Sequence, residues 1–170
     1  MLAIRRLRFH IFGLLLLVCQ AVPALGGELS KGQMLYLPIY SSIWHGDRSS
    51  DNGEPMKSML SALVSIRNTS LRTPVRLTSA RYYSTGGKLL KEFIPSSRTI
   101  APMETFELFI EKREMEGGSG ANFVIQWESS VPVNSPVVEA VHINNQAGRP
   151  YSFITSARVI YPESSPEKNK

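Results

Sequence analysis

The chain alternates apolar and polar residues over many short stretches. In the stretch 60–67 every second position is apolar, namely Leu60, Ala62, Val64 and Ile66. Successive side chains of a β-strand point to opposite faces, so this period of two predicts a half-buried strand with the apolar set on one side. After residue 27 no stretch shows a convincing helical period.

The same pattern predicts strands at 34–40, 75–84, 88–94, 106–110, 123–127, 137–144 and 151–160, with a short piece at 98–100. Thr85-Gly86-Gly87 is typical of a hairpin turn. Pro38 favours an edge strand or a bulge, because proline has no N–H to donate to a neighbouring strand. The polar stretch from Ser41 to Lys57 is predicted to be a long loop.

About eight short strands at regular spacing predict an all-β fold. At this length the commonest solution is an immunoglobulin-like antiparallel β-sandwich. We expect no helix longer than about two turns. Trp127 alternates in phase with Phe123 and Ile125, so it is predicted to be a core residue and not a platform for a ligand.

Residues 1–26 have the layout of a secretory signal peptide. Three arginines precede an apolar run from Ile11 to Val18, and small residues favour cleavage after Ala24 or Gly26. The run is shorter than the roughly 20 residues that span a bilayer. The alternatives are an uncleaved signal that stays as a short anchor, and a lipoprotein anchored through Cys19. We expect an extracytoplasmic protein, periplasmic or secreted, with no stable membrane span after cleavage.

Charge changes this picture little once the signal is removed. The chain has 19 Lys+Arg and 14 Asp+Glu, and three of the basic residues lie in the signal, which lowers the net charge from +5 to +2. Such a small excess gives no basic field for nucleic acid, which is excluded as a partner. The single cysteine also lies in the signal, so the predicted domain of residues 27–162 can form no disulfide. Residues 163–170 are charged and contain proline, which predicts a disordered tail.

A candidate ligand-binding site lies in the predicted loop. His45, Asp47 and Arg48 surround Gly46. A histidine and an aspartate two residues apart can share a ligand, a proton or a cation. The alternative is a turn, in which Asp47 accepts bonds from backbone N–H groups and His45 packs against an aromatic neighbour.

Glu139 is chemically unusual in its predicted strand. Strict alternation places it with Val141 and Ile143, on what is predicted to be the core face. A buried carboxylate is costly unless it is paired. Arg67 and Arg158 are therefore the predicted partners in a structural ion pair, and a functional carboxylate is the alternative.

The glycine-rich stretch 117–120 could cradle a phosphate, but it lacks the following helix and the lysine of a P-loop. A flexible or bulged connection is predicted instead, and Asn122 just after it is a candidate ligand-binding residue or a strand-end cap. No catalytic residue, metal or cofactor is predicted. There is no Gly-x-Ser-x-Gly elbow, and Met56 and Met59 with His45 are too few ligands for copper.

Four local strings are distinctive: Tyr36-Leu37-Pro38-Ile39-Tyr40-Ser41-Ser42-Ile43-Trp44-His45-Gly46-Asp47, Ser65-Ile66-Arg67-Asn68-Thr69, Gly117-Gly118-Ser119-Gly120-Ala121-Asn122-Phe123 and Glu139-Ala140-Val141. With them the chain resembles a family of exported bacterial proteins known as a domain of unknown function, over roughly Gly32 to Ile160. The resemblance implies an exported single domain in bacteria. It implies no activity, ligand or partner.

Two functions follow as hypotheses. The first is a non-enzymatic exported module of the cell envelope that binds a protein, a peptide or an envelope component. The alternative is a small-ligand-binding or hydrolytic domain that uses His45, Asp47 and Glu139. Geometry separates the two, because the alternative needs those three side chains to converge on one pocket.

Overall fold

A computed structural model describes residues 28–49, 53–146 and 148–161. Within these ranges the chain forms twelve β-strands and one short 3-10 turn, Gly118–Gly120. The strands are β1 (Ser30–Ile39), β2 (Ser42–His45), β3 (Met56–Met59), β4 (Ser61–Arg67), β5 (Val75–Tyr83), β6 (Leu89–Glu92), β7 (Arg98–Ile100), β8 (Thr105–Ile110), β9 (Ala121–Val133), β10 (Val137–Gln146), β11 (Arg149–Ser156) and β12 (Arg158–Ile160). In the same ranges no helix is long and apolar enough to cross a membrane. The predicted signal peptide (1–26) and tail (163–170) lie outside the described residues.

The strands form two antiparallel sheets and a separate hairpin. Sheet I has the order β12-β1-β9-β5-β6, with β7 also paired to β5, and sheet II has the order β11-β10-β4-β8. The hairpin is formed by β2 and β3. Apolar side chains from both sheets make one continuous core. The predicted all-β antiparallel sandwich is confirmed, while its immunoglobulin-like subclass stays a prediction.

Alternation positions the core as predicted. Ala62, Val64 and Ile66 are buried along β4. On β9, Trp127 is only 2% exposed, and the two residues in phase with it are buried as well. The prediction that Trp127 is a core residue is therefore confirmed.

The predicted strand number of eight is too low, and the long loop is partly wrong. Ser42–His45 and Met56–Met59 pair as the β2–β3 hairpin, with Trp44 opposite Lys57. The Lys57 ammonium lies 5.5 Å from the centre of the Trp44 ring. Four-residue strands with serine and lysine carry too short an alternation to be detected in sequence.

The predicted face of β10 is also wrong. Val138 and Ala140 are the buried apolar residues of β10, whereas Val137 and Ile143 are more than 40% exposed. Glu139 therefore lies on the outer face of sheet II. Apolar residues occur on both faces of β10, so alternation alone could not decide which face meets the core.

The predicted strand 151–160 is divided where the chain passes from one sheet to the other. The N–H of Ala157 donates to the carbonyl of Val138 at 2.9 Å, and β12 then joins sheet I beside Met34–Tyr36. Because β12 begins opposite Tyr36, Pro38 is paired only with Asn122 of β9 and has an unpaired edge on the other side, as the sequence predicts. The carbonyl of Pro38 instead accepts a hydrogen bond from Thr155 Oγ1 at 2.8 Å, which ties the two sheets together.

Candidate functional site

The predicted loop residues lie at the exposed tip of the β2–β3 hairpin. His45 Nε2 is 2.9 Å from Ser58 Oγ on the partner strand. Arg48 donates to the carbonyl of Gly53 at 2.8 Å, which closes the turn. Asp47 is exposed beside them. His45 and Arg48 therefore contact their own hairpin.

Glu139 forms the predicted ion pair, and its partner is Arg67 at 2.9 Å. Both side chains are more than one-third exposed, so the pair lies on the surface, where such contacts stabilise little. Arg158, the other predicted partner, lies in sheet I opposite Tyr36 and forms no ion pair with Glu139. Asn122 also lies in sheet I, on its outer face, because the next residue of β9 points into the core.

The structure does not bring His45, Asp47 and Glu139 together. Glu139 pairs with Ser65, which is four residues, or about 13 Å, along β4 from Ser61. The hairpin joins β4 at its Ser61 end, and His45 lies at the far tip of that hairpin. In the described part of the chain, no three His, Cys, Asp or Glu side chains are grouped so that they could hold a metal ion.

Sequence reasoning missed a buried polar group that we name the Ser41 cluster: Ser41, Tyr82, Glu114 and Gly117. Glu114 Oε2 accepts from Ser41 Oγ at 2.7 Å and from Tyr82 OH at 2.8 Å. The two hydroxyl oxygens are themselves 2.7 Å apart, so two hydrogens are shared among three contacts. Glu114 Oε1 accepts from the Gly117 N–H at 2.9 Å. The cluster thus joins the end of β1, strand β5 and the loop before β9.

These contacts fix the protonation of the cluster. Burial raises the pKa of the Tyr82 hydroxyl, and the Glu114 charge raises it further. Burial also acts to raise the pKa of Glu114, but the bonds from Ser41, Tyr82 and the backbone outweigh it and lower that pKa below its usual range. Glu114 is therefore an ionised anchor whose oxygens are occupied by internal donors.

Gly117 is required by space and not by backbone conformation. Its φ of −63° suits any residue, but a Cβ here would lie 1.9 Å from Tyr82 OH and 2.6 Å from Ser41 Oγ. The Gly117 carbonyl accepts two hydrogen bonds from Thr85, and Thr85 Oγ1 accepts from the Gly120 N–H. The glycine-rich stretch is therefore tied to the β5–β6 hairpin, which supports a structural connection over a phosphate cradle.

A cleft of about 400 Å³ lies beside the Ser41 cluster, on the side of the sandwich where β6 faces β8. Leu90, Phe93 and Ile110 contribute apolar surface to it. Lys91 and Arg113 contribute charge, and Lys91 also lies over the Phe93 ring. The lining comes from separate segments of the chain, so no local motif could have indicated it.

A second buried group, the His142 cluster, consists of Tyr40, Ser42, His142, Asn144 and Phe153. His142 is fully buried, stacks on Phe153 with ring centroids 4.7 Å apart, and accepts from the Tyr40 N–H through Nε2 at 3.1 Å. Asn144 donates to the carbonyl of Met59 at 2.8 Å, and Ser42 belongs to the group because it pairs with Met59 in the β2–β3 hairpin. Three of its buried polar atoms have no hydrogen-bond partner among the described residues: Ser42 Oγ, His142 Nδ1 and Asn144 Oδ1. Burial lowers the pKa of His142, although the nearby carbonyls of Ala140 and Phe153 act against this.

Apolar side chains also cross the outer face of sheet II in one line. Phe109 pairs with Leu63, Leu63 with Val141, and Val141 with Ile154. We name these four residues the apolar row. Phe109 is 55% and Ile154 61% exposed, and Ile143 beside the row is 42% exposed. Sequence reasoning missed the row because it needs both the strand register and the correct face of β10.

Comparison with known proteins gives a family but no activity. The family model described as "Protein of unknown function (DUF3124)" matches residues 32–160. A search of curated proteins gave no significant match. A solved structure titled "Crystal Structure of Thermotoga maritima 1070" is 14% identical, with a TM-score of 0.40, and the alignment covers 78% of this chain and 97% of that one. The family match spans well over half of the 170 residues, so the chain belongs to this family of proteins of unknown function.

Proposed function

We propose that this protein is an exported, non-enzymatic binding module of the cell envelope. In this proposal a partner protein contacts the outer face of sheet II. The observation that carries the proposal is the apolar row, whose ends are exposed and whose two middle residues are half-buried. An apolar surface patch of this kind on a small domain marks an interaction site. Export is supported by the signal-like sequence of residues 1–26.

The surroundings of the row favour a protein partner. The line along one side of the row contains Glu107, Glu139 and Ser156 together with the buried Ser65. The line along the other side contains Ser61 and Ser152, with Ile143 between them. An apolar centre within a rim of hydrogen-bonding groups is the usual anatomy of a protein–protein interface. We therefore expect the partner to present an apolar surface with polar groups around it.

Two observations favour binding over catalysis. The carboxylate beside the cleft, Glu114, is occupied by internal donors. Of the residues that the hydrolytic alternative would use, His45 and Asp47 lie at the hairpin tip, and Glu139 lies apart from them on the outer face of sheet II. His45 does contact the Ser58 hydroxyl, but no carboxylate among the described residues bonds its ring to complete a catalytic set.

Photo-crosslinking in intact bacteria tests the proposal. The full chain is expressed with benzoylphenylalanine in place of Phe109, an exposed aromatic residue of the row. We expect one discrete adduct with a different protein, and loss of that adduct when Val141→Ser is added. The matched control carries the same group in place of Tyr83, on the outer face of sheet I, and should not give the adduct.

Three results would count against the proposal. They are equal adducts from the two faces, no adduct from Phe109, and an adduct that survives Val141→Ser in a protein with an unchanged unfolding midpoint. Export is checked on the same cells. A protein that stays in the cytoplasmic fraction with residues 1–26 attached would contradict that part.

A further inference from the structure

The two sheets differ in how their edges are protected. In sheet I the edge strands are short, with three residues in β12, three in β7 and four in β6. In sheet II the edges are β8, with six residues, and β11, with eight. A long bare edge is a template for another strand, and charged residues usually guard it. β8 carries Glu107, whereas β11 has no charged residue from Pro150 to Ser156.

The unpaired backbone groups of β11 belong to Ser152, Ile154 and Ser156. The N–H of Ala157 donates to the carbonyl of Val138 in β10. The β10–β11 pairs follow in the same register from Ser156 back to Arg149. Backbone groups of successive residues in an antiparallel strand point to alternate sides. Odd-numbered residues therefore bond to β10, and even-numbered residues face outward, where no described strand pairs with them. Pro150 is the next even position and has no N–H, so it limits the pairing on that side.

The free stretch is nearly symmetric about Ile154. In an antiparallel pairing of two copies centred there, Ile154 faces Ile154 of the other copy. Ser152 then faces Ser156, and Phe153 faces Thr155. The pairing of an aromatic with a β-branched residue is favourable across strands, and so is the pairing of two hydroxyl residues. No like charges face each other in this arrangement. The outward N–H groups of Ser152, Ile154 and Ser156 in each copy then meet the outward carbonyls of the same residues in the other.

We infer that the protein self-associates through β11, which pairs with β11 of a second copy about a two-fold axis at Ile154. The pairing joins the two copies of sheet II into one eight-stranded sheet. Because Ile154 ends the apolar row, the two rows meet at the axis and form one line across that sheet. We assign a second copy as the partner of this edge because residues 152–156 are nearly symmetric about Ile154 and so complement themselves in an antiparallel pairing. They also carry no charge that would select a different strand. This inference does not depend on the proposed function.

Cysteine crosslinking tests the axis directly. Ile154→Cys is made in a Cys19→Ser background of the full chain, so that the new thiol is the only one. Residues that face each other as a hydrogen-bonded pair have Cα atoms about 5.5 Å apart, which lies within the range that a disulfide bridges. We expect mild oxidation to convert Ile154→Cys to a covalent dimer.

Ser152→Cys is the matched control. Its two copies lie four residues apart along the paired strands, or about 13 Å, so it should stay monomeric under the same oxidation. Adding Ser156→Cys to Ser152→Cys should restore the crosslink. Equal crosslinking of Ile154→Cys and Ser152→Cys, or none by either, would overturn the inference.

Sedimentation of the purified protein gives an independent readout. The wild type should show a concentration-dependent monomer–dimer equilibrium. Ile154→Lys should be monomeric where the wild type is dimeric, because like charges then face each other at the axis. Phe109→Lys, at the other end of the row, should keep the dimer, because it lies away from the proposed axis. A wild type that is monomeric at every concentration would contradict the inferred dimer and would not affect the proposed function.

Discussion

Ser41 and Ser42 are neighbours in the chain, and each is only 1% exposed. The Ser41 hydroxyl lies within 2.7 Å of both Tyr82 and Glu114. The Ser42 hydroxyl has no partner among the described residues. One serine belongs to a cluster that joins three segments of the chain, and the other belongs to a cluster with unsatisfied atoms.

The difference shows that the burial of a polar side chain does not determine its contribution to stability. A buried hydrogen bond to a charged group stabilises by about 1.5–3 kcal/mol, whereas an unsatisfied buried group costs about 1–3 kcal/mol. The Ser41 cluster is therefore expected to stabilise the junction of the two sheets. The His142 cluster is held by ring stacking and by the bonds of Tyr40 and Asn144, in spite of its unsatisfied atoms.

Gly117→Ala should break the Ser41 cluster and have the largest effect. The added Cβ would occupy the space of the Tyr82 hydroxyl, so it would separate the groups bonded to Glu114. Overpacking with loss of these bonds should lower the free energy of unfolding by about 3 kcal/mol or more. Urea unfolding is the measurement.

Gly86→Ala is the matched control for that change. Its nearest neighbour, Ser84 Oγ, would be 3.9 Å from the new Cβ, so the free energy of unfolding should stay within about 0.5 kcal/mol of wild type. If the two variants were equally stable, Gly117 would not be fixed by the space around it.

Ser41→Ala and Ser42→Ala compare the clusters with one identical change. Ser41→Ala removes a donor from the Glu114 carboxylate and should cost about 1.5–3 kcal/mol. Ser42→Ala removes an unsatisfied hydroxyl, so its free energy of unfolding should equal or exceed that of wild type. Urea unfolding of the pair checks the order, and a larger loss from Ser42→Ala would contradict our assignment of the two clusters.

The elements that sequence predicted well are those whose apolar residues lie on one face. Ala62, Val64 and Ile66 on β4 and Trp127 on β9 alternate with polar or half-buried neighbours, so their burial follows from the period alone. In β10, Val137 and Val138 are adjacent and both apolar, so the sequence does not indicate which of the two alternating sets of side chains faces the core. Register with β4, which no local pattern encodes, decides that Val138 is the buried one.

The site residues show the same limit. The sequence predicts a pairing partner for Glu139 because a buried carboxylate is costly, and it offers both Arg67 and Arg158. The partner is Arg67, and the predicted burial of Glu139 is wrong. The Ser41 cluster was missed because Tyr82 is 41 positions from Ser41, and Glu114 is 32 positions further on. Contacts at such separations depend on the topology of both sheets. No local sequence motif predicts them.

Acid should weaken the His142 cluster selectively, and this effect should be the smallest because only one side chain titrates. The neutral ring accepts the Tyr40 N–H through Nε2, and a proton on Nε2 would remove that acceptor. Burial lowers the pKa of His142 in the folded protein below its usual value of about 6.5. As the pH falls below about 6.5, the unfolded chain takes up a proton on this histidine before the folded protein does. The stability that the neutral ring contributes is therefore complete above about pH 6.5 and is lost as the pH falls toward the folded pKa.

The measurement is the free energy of unfolding at about pH 7.5 and pH 5.5, a pair that brackets the usual pKa of histidine. His142→Gln should reduce the difference between the two pH values, because its amide does not titrate. His45→Gln, at the exposed hairpin tip, should leave the difference intact. If His142→Gln kept the full wild-type difference, the acid sensitivity would have to come from other groups.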